Sequence, residues 1–114
     1  MEEEKKAQDP QAAGAPSRAA ILEELKNVMD PELMLNIVDL GLVYAVETTE
    51  DSVEIVFSLT YPGCPAGESI QDDIQRNVEG FTGLDNVTVK LVWDPPWQPD
   101  FMSEEARVTL GYPI

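Results

Sequence analysis

The sequence predicts an α+β fold: a two-layer α/β domain in the order α-β-β-α-β-α, with helices packed on a small three-stranded mixed sheet. Two stretches repeat apolar residues with the period of a helix, and three others read as strands. A helix and a sheet each have one apolar face to bury. Packing these faces together is therefore the natural solution for a single domain of this size.

Residues 1–17 differ in composition from the rest of the chain. They are acidic, rich in Ala and Pro, and without apolar periodicity. Because such a segment has little apolar surface to bury, we expect a disordered tail at 1–17 and a single domain over 18–114.

The first helix is predicted to begin after Ser17, whose hydroxyl can cap the free N–H groups of the first turn. Apolar residues recur at helical spacing from Ile21 to Met29. Pro31 ends the helix, because the residue before a proline avoids the α region. Residues 30–41 then form a loop that is rich in apolar side chains and must pack against the domain.

Residues 42–48 and 53–60 are predicted to form an antiparallel hairpin, because a short polar connection joins the two strands. The second helix is predicted from about residue 65 to residue 79, with apolar residues at every fourth position. Gly80 and Gly83 follow it and end it.

The third strand is predicted over residues 87–93, where apolar residues alternate with others. The two prolines of residues 94–97 (DPPW) cannot donate to a sheet, so the strand stops there. Trp93 and Trp97 are predicted to pack in the core. Ser103 caps a short last helix that has two glutamates in its first turn.

The composition limits the partners and the location. The chain has a net charge of −15, with 18 acidic and five basic residues in 18–114. This surface repels phosphate backbones, so we expect no nucleic-acid partner. No apolar run approaches the roughly 20 residues that span a bilayer, so we expect no membrane association. A single cysteine favours the reducing cytoplasm.

Cys64 has the setting that is most informative about function. It lies where an apolar strand stops, and Pro65 after it suits the first position of a helix. The free N–H groups and the dipole of a helix start favour a thiolate, which is a nucleophile and a soft-metal ligand. The alternative is a small buried side chain that fills space at the end of the sheet.

The number of ligands restricts what Cys64 can bind. An iron–sulfur cluster usually takes four thiolates, whereas the chain has one Cys and no His. A metal at Cys64 is therefore shared, either across a homodimer or with a partner that supplies other ligands. Asp30 and Asp39 are harder oxygen donors. The absence of His also disfavours a cysteine-hydrolase mechanism.

Five segments together resemble one protein family. They are residues 30–32 (DPE), 36–44 (NIVDLGLVY), 60–65 (TYPGCP), 94–97 (DPPW) and 102–107 (MSEEAR). This combination resembles the SufT/PaaD-type iron–sulfur cluster assembly domain family, relatives of the eukaryotic cytosolic targeting factor named MIP-eighteen.

The resemblance implies an accessory role in iron–sulfur protein maturation, with assembly proteins and client apoproteins as partners. It also implies that Asp30, Asp39, Thr60 and Cys64 are the functional residues. We expect Cys64 to be an exposed or half-exposed thiolate that contacts iron or a cluster transiently, with no cofactor stably bound. Asp30 and Asp39 would shape its surroundings, and Thr60 would supply a hydroxyl.

Two alternatives to an assembly factor remain. In one, the chain is a non-catalytic adaptor that recognises proteins through its acidic surface, and Cys64 is structural. In the other, Cys64 carries a persulfide in a sulfur-transfer enzyme, a reaction that needs no His. The motifs and the ligand count together favour the assembly factor, which is not an enzyme in the turnover sense.

Overall fold

The computed structural model describes residues 16–111. The tail predicted at residues 1–17 lies outside the described residues, except for its last two. The elements in chain order are α1 (Arg18–Leu25), β1 (Met29–Asp30), β2 (Leu35–Asn36), β3 (Val43–Thr48), β4 (Ser52–Phe57), α2 (Gly67–Thr82), β5 (Asn86–Leu91), a short 3₁₀ helix (Pro99–Phe101) and α3 (Glu104–Leu110). The predicted α+β class is confirmed.

The three-stranded mixed sheet has the order β3-β4-β5. β3 runs antiparallel to β4, whereas β5 runs parallel to β4. Parallel neighbours need a crossover connection, and α2 provides it. Along β4, Val53, Ile55 and Phe57 are buried while the residues between them are half-buried. The sheet therefore has one fully covered face.

One hydrophobic core lies between the helices and this face. α2 contributes Ile70, Ile74 and Val78, and α1 contributes Ile21 and Leu25, all with no exposed surface. Full burial of each such side chain contributes about 1.5–3 kcal/mol relative to leaving it exposed. The apolar stripe predicted for the second helix is confirmed.

α1 starts as predicted but ends early. Ser17 caps it, since Oγ of Ser17 accepts a hydrogen bond from the N–H of Ala20 at 3.1 Å. The prediction that this helix reaches Met29 is wrong. Met29 instead pairs with Asn36 in the small β1–β2 hairpin, and its side chain is exposed.

The apolar segment at residues 30–41 packs against the domain, as expected. Ile37 and Leu40 are fully buried in the core. The N–H of Ile37 donates to the carbonyl of Val28 at 3.0 Å, which ties the segment to the end of the first helical region. The segment is not a plain loop, because it contains the strands of the β1–β2 hairpin.

The two tryptophans have different surroundings. Trp97 packs against the core, and its indole N–H donates to the carbonyl of Leu40 at 2.7 Å. The prediction that Trp93 is also a core residue is wrong, because β5 ends at Leu91 and Trp93 is 44% exposed. The last helix is capped as predicted, with Oγ of Ser103 accepting from the N–H of Ala106.

Candidate functional site

The surroundings of Cys64 are built by the turn between β4 and α2. The N–H of Cys64 donates to the carbonyl of Tyr61 at 3.3 Å, and the N–H of Gly67 donates to the carbonyl of Cys64 at 3.2 Å. α2 begins at Gly67, two residues later than predicted. Pro65 therefore lies in the turn instead of at the first position of the helix, and Cys64 lies three residues before the helix begins.

The side chain of Cys64 is buried. Only 8% of the residue is exposed, and the side chain belongs to the hydrophobic core. The expectation of an exposed or half-exposed thiol is wrong. A partner atom can reach Cys64 only through the small part of its surface that remains exposed.

Glu32 is the carboxylate that contacts Cys64. The thiol donates a hydrogen bond to Oε1 of Glu32, with Sγ and Oε1 3.8 Å apart. The hydroxyl of Tyr61 donates to the same carboxylate, at 3.2 Å from Oε1 and 3.4 Å from Oε2. Two groups that can ligate a metal, the thiol of Cys64 and the carboxylate of Glu32, thus lie side by side. The exposed side chain of Tyr61 lies next to them.

Asp30 holds the turn that presents Glu32. Its side chain is almost fully buried, with 1% exposed. Oδ1 of Asp30 accepts from the N–H of Glu32 at 2.8 Å and from the N–H of Leu33 at 3.3 Å. These bonds satisfy two backbone donors that the tight β1–β2 turn leaves unpaired. Asp30 therefore fixes the backbone from which Glu32 reaches Cys64.

The local electrostatics disfavour a thiolate. Burial raises the pKa of the Cys64 thiol above its ordinary value, and the negative charges of Glu32 and Asp30 raise the pKa further. A hydrogen bond from the backbone N–H of Ala66 opposes this and lowers the pKa, but it does not outweigh the burial. The expected pKa depression by a helix start is thus reversed.

The comparison with known families decides what kind of protein carries this site. A family model described as "Iron-sulfur cluster assembly protein" matches residues 18–91. The chain belongs to this family.

Relatives and solved structures agree with this assignment. The chain is 41% identical over 93 residues to an Fe-S protein maturation auxiliary factor of Porphyromonas gingivalis, an alignment that covers 81% of this chain and 89% of that protein. It is also 41% identical over 85 residues to the Fe-S protein maturation auxiliary factor SufT of Staphylococcus aureus, covering 74% and 97%. The crystal structure of a Bacillus anthracis DUF59 domain of unknown function matches with a TM-score of 0.78 and 35% identity, covering 82% of this chain and 90% of that one. The SufT/PaaD-type resemblance is confirmed.

The structure separates the four residues that the resemblance to this family singled out. Asp30 and Cys64 belong to one cluster, through Glu32. Asp39 faces other groups: its Oδ2 accepts from the side-chain amide of Asn36 at 2.9 Å, and its backbone carbonyl accepts from the N–H of Ser103 at 2.8 Å. Thr60 is half-buried beside Tyr61. Among the described residues, neither Asp39 nor Thr60 has a hydrogen bond to Cys64.

The site offers few metal donors. Over residues 16–111, no group of three or more His, Cys, Asp or Glu side chains is arranged to hold a metal ion. Cys64 and Glu32 supply one sulfur and one carboxylate. An iron centre that contacts them would need further ligands from another molecule.

Sequence reasoning missed two residues of this cluster, Glu32 and Tyr61. Both lie inside motifs that it did use, 30–32 (DPE) and 60–65 (TYPGCP). Within each motif it selected other residues, so Glu32 and Tyr61 were passed over. The signal available for Glu32 was a second carboxylate two positions after Asp30, on the other side of a turn-forming proline.

A last finding concerns helix length and hydropathy. In the described part of the chain, none of the helices has the length and apolar character required to cross a bilayer.

Proposed function

We propose that this chain is an accessory factor in iron–sulfur cluster assembly or delivery to client proteins, in which Cys64 makes a single, shared contact to iron or to the cluster. The observation that carries the proposal is the contact between Cys64 and Glu32, in a chain of the iron–sulfur assembly family. The names of the two maturation factors support the same role. The cluster is cargo, and the chain performs no turnover chemistry of its own.

The first step of the proposed contact is loss of the thiol proton, because the thiolate is the form that binds metal. Glu32 is the acceptor within reach, so the proton passes from Sγ of Cys64 to Oε1 of Glu32 and from there to water, which leaves a thiolate beside a carboxylate. The N–H of Ala66 stabilises the resulting thiolate. Iron then supplies the positive charge that makes the two neighbouring anionic groups compatible.

The remaining ligands come from outside the chain. One thiolate is too few for a cluster that usually takes four. A client apoprotein, an assembly protein or a second copy of the chain would complete the set. Because protons compete with iron for a thiol whose pKa is raised, binding at neutral pH is weak and the cargo is easily passed on. The proposal assigns this work to the cytoplasm, where a lone thiol stays reduced.

Anaerobic cluster transfer tests the proposal. The full chain is mixed with iron, sulfide and an apo-ferredoxin as the client, and cluster formation on the client is followed by its visible absorbance. We expect Cys64→Ala to slow this by about tenfold or more, as loss of a group that acts on a metal commonly does. Asp72→Asn is the matched control, because Asp72 is exposed on α2 and lies outside the cluster of Cys64 and Glu32, and its transfer rate should stay near the wild-type value.

Each alternative has its own readout in this assay. Unchanged transfer and unchanged client binding in Cys64→Ala would contradict the shared contact and favour the adaptor with a structural cysteine. A mass gain of one sulfur atom on Cys64 after treatment with a cysteine desulfurase would favour the sulfur-transfer enzyme instead.

A further inference from the structure

The two edges of the three-stranded sheet are finished differently. β5 forms one edge and β3 forms the other. An edge strand has outward-facing N–H and C=O groups that can pair with another chain, unless something covers them. The hydrogen bonds of these backbone groups differ between the two edges.

The β5 edge is covered by α2. The N–H of Val92 donates to the carbonyl of Phe57 in β4, so alternation makes Val87 and Val89 the residues of β5 whose backbone groups face outward. The side-chain amide of Gln75 donates to the carbonyl of Val87 at 2.8 Å, and that of Gln71 donates to the carbonyl of Val89 at 3.1 Å. These outward carbonyls are already bonded.

The β3 edge has no such cover. The N–H of Thr49 donates to the carbonyl of Ser52 at 2.9 Å, which sets the alternation along the hairpin. The backbone N–H and C=O groups of Glu47 therefore point towards β4, while those of Val46 and Thr48 point outward. Within residues 16–111, no side chain or loop group forms a hydrogen bond with the backbone of Val46 or Thr48. In this part of the chain, the outward backbone groups of these two residues are therefore unpaired, although Val46 as a whole is only 5% exposed.

A groove, which we call the β3 groove, continues this edge at the start of the strand. It has a volume of about 500 Å³. Two contacts fix its walls: the hydroxyl of Tyr44 donates to the carbonyl of Pro95 at 2.8 Å, and the rings of Tyr44 and Phe101 meet edge to face with centroids 5.9 Å apart. Its lining exposes somewhat more apolar than polar surface and consists of Val38, Gly41, Val43, Tyr44, Pro95 and Phe101.

The charges beside this surface are mainly negative, although Asp100 also lies 3.9 Å from the positive charge of Arg107. Glu47 is exposed on β3, and Glu50 and Asp51 are exposed in the turn that follows. Asp94 and Asp100 are exposed next to two groove residues, Pro95 and Phe101. A second copy of this acidic chain would bring like charges together, whereas a basic partner is attracted.

We propose that the β3 edge and the β3 groove bind an extended, basic segment of a partner protein. The segment pairs with Val46 and Thr48 as a fourth strand, places a bulky apolar side chain in the groove, and directs its Lys or Arg side chains towards the surrounding carboxylates. This proposal depends on the edge, the groove and the charges. It is independent of the chemistry at Cys64, which shares no residue with this surface.

The experiment is an NMR titration of the full chain with a blocked peptide, Lys-Val-Lys-Phe-Lys-Val-Lys. We expect amide signals of Val46 and Thr48 to shift, together with those of the groove, while Val87 and Val89 on the covered edge stay unchanged. Replacing the peptide's Phe by Ala should weaken binding by about tenfold, because a large buried ring is lost. Binding should also weaken as salt is added, since the charges are exposed.

Matched charge variants of the protein test the choice of partner. The double variant Glu47→Gln with Asp94→Asn should weaken binding of the peptide by about two- to fivefold for each charge removed. Glu68→Gln with Asp72→Asn, on α2 beside the covered edge, removes the same charge and should leave binding unchanged.

Four results would overturn the proposal. The first two are amide signals that do not shift at millimolar peptide and equal binding of a peptide with Glu in place of Lys. The others are shifts centred on Val87 and Val89, and shifts at Val46 that follow the protein concentration when no peptide is present. The last would identify a second copy of the chain as the occupant.

Discussion

Oε1 of Glu32 lies 3.8 Å from Sγ of Cys64, although 32 positions separate the two residues in the chain. The contact joins the turn of the β1–β2 hairpin to the turn that precedes α2. A carboxylate accepts but does not donate, so the thiol proton lies between the two groups and its loss creates two adjacent negative charges. The resting site therefore favours the protonated thiol.

Glu32→Gln should lower the pKa of Cys64, because it removes a negative charge and the acceptor of the thiol proton. The rate of alkylation by iodoacetamide, measured against pH, should have its midpoint at lower pH than in the wild type. A change in access to the buried sulfur alters the plateau rate, whereas a change in its pKa alters the midpoint. The measurement therefore distinguishes the two. Asp51→Asn, in the exposed β3–β4 turn, serves as the control, and an equal midpoint in both variants would contradict the role of Glu32.

The raised pKa of Cys64 also predicts a loss of stability at alkaline pH. Its folded-state pKa is above the unfolded value, so this contribution is complete below the ordinary thiol pKa of about 8.5 and is lost as the pH rises through the folded value. The unfolding free energy from urea titrations should thus fall with pH more steeply in the wild type than in Cys64→Ser. The pKa of Tyr61 is raised as well, so both proteins are compared in a Tyr61→Phe background. Parallel pH profiles would refute the prediction.

Asp30→Ala should destabilise the protein by about 1–3 kcal/mol, because it leaves the N–H groups of Glu32 and Leu33 without their acceptor. It should also displace Glu32 and move the alkylation midpoint of Cys64 downward. Asp30→Asn keeps an acceptor oxygen and should recover much of the stability. Asp30→Asn removes the same negative charge, so a midpoint that is no lower in Asp30→Ala than in Asp30→Asn would mean that Asp30 stabilises the turn but does not position Glu32.

Gly41→Ala should be among the most destabilising small substitutions in the domain. Gly41 has φ of +77°, and a Cβ atom there would lie 2.2 Å from the carbonyl oxygen of Phe101. We expect a loss of about 3 kcal/mol or more in thermal or urea unfolding, from backbone strain and overpacking together. Gly63→Ala is the matched control, because its φ is +85° but no atom lies within 4 Å. It should cost only about 1–2 kcal/mol, so equal losses would argue against the close approach of Phe101.

The fold could be predicted from the sequence to a large extent. Helical and strand periodicities found α2 and the β3–β4 hairpin, and the capping serines Ser17 and Ser103 marked two helix starts. These signals come from residues that lie close to one another in the sequence. The prediction was wrong at Met29, where pairing with Asn36 replaces the last turn of a helix. Such pairing depends on a segment elsewhere, so local preferences do not reveal it.

The site was predicted only in part, for the same reason. Cys64 stood out because it is the only cysteine, and the motif in which it lies indicated the family. The sequence alone also determined the acidic charge and the lack of His, which limit the ligands that this chain can offer to a metal. Only the tertiary structure decided that Cys64 is buried, that Glu32 contacts it and that Asp39 faces Asn36 instead. Burial, pKa and contact partners depend on how distant segments pack against one another, and a linear pattern of residues does not encode those distances directly.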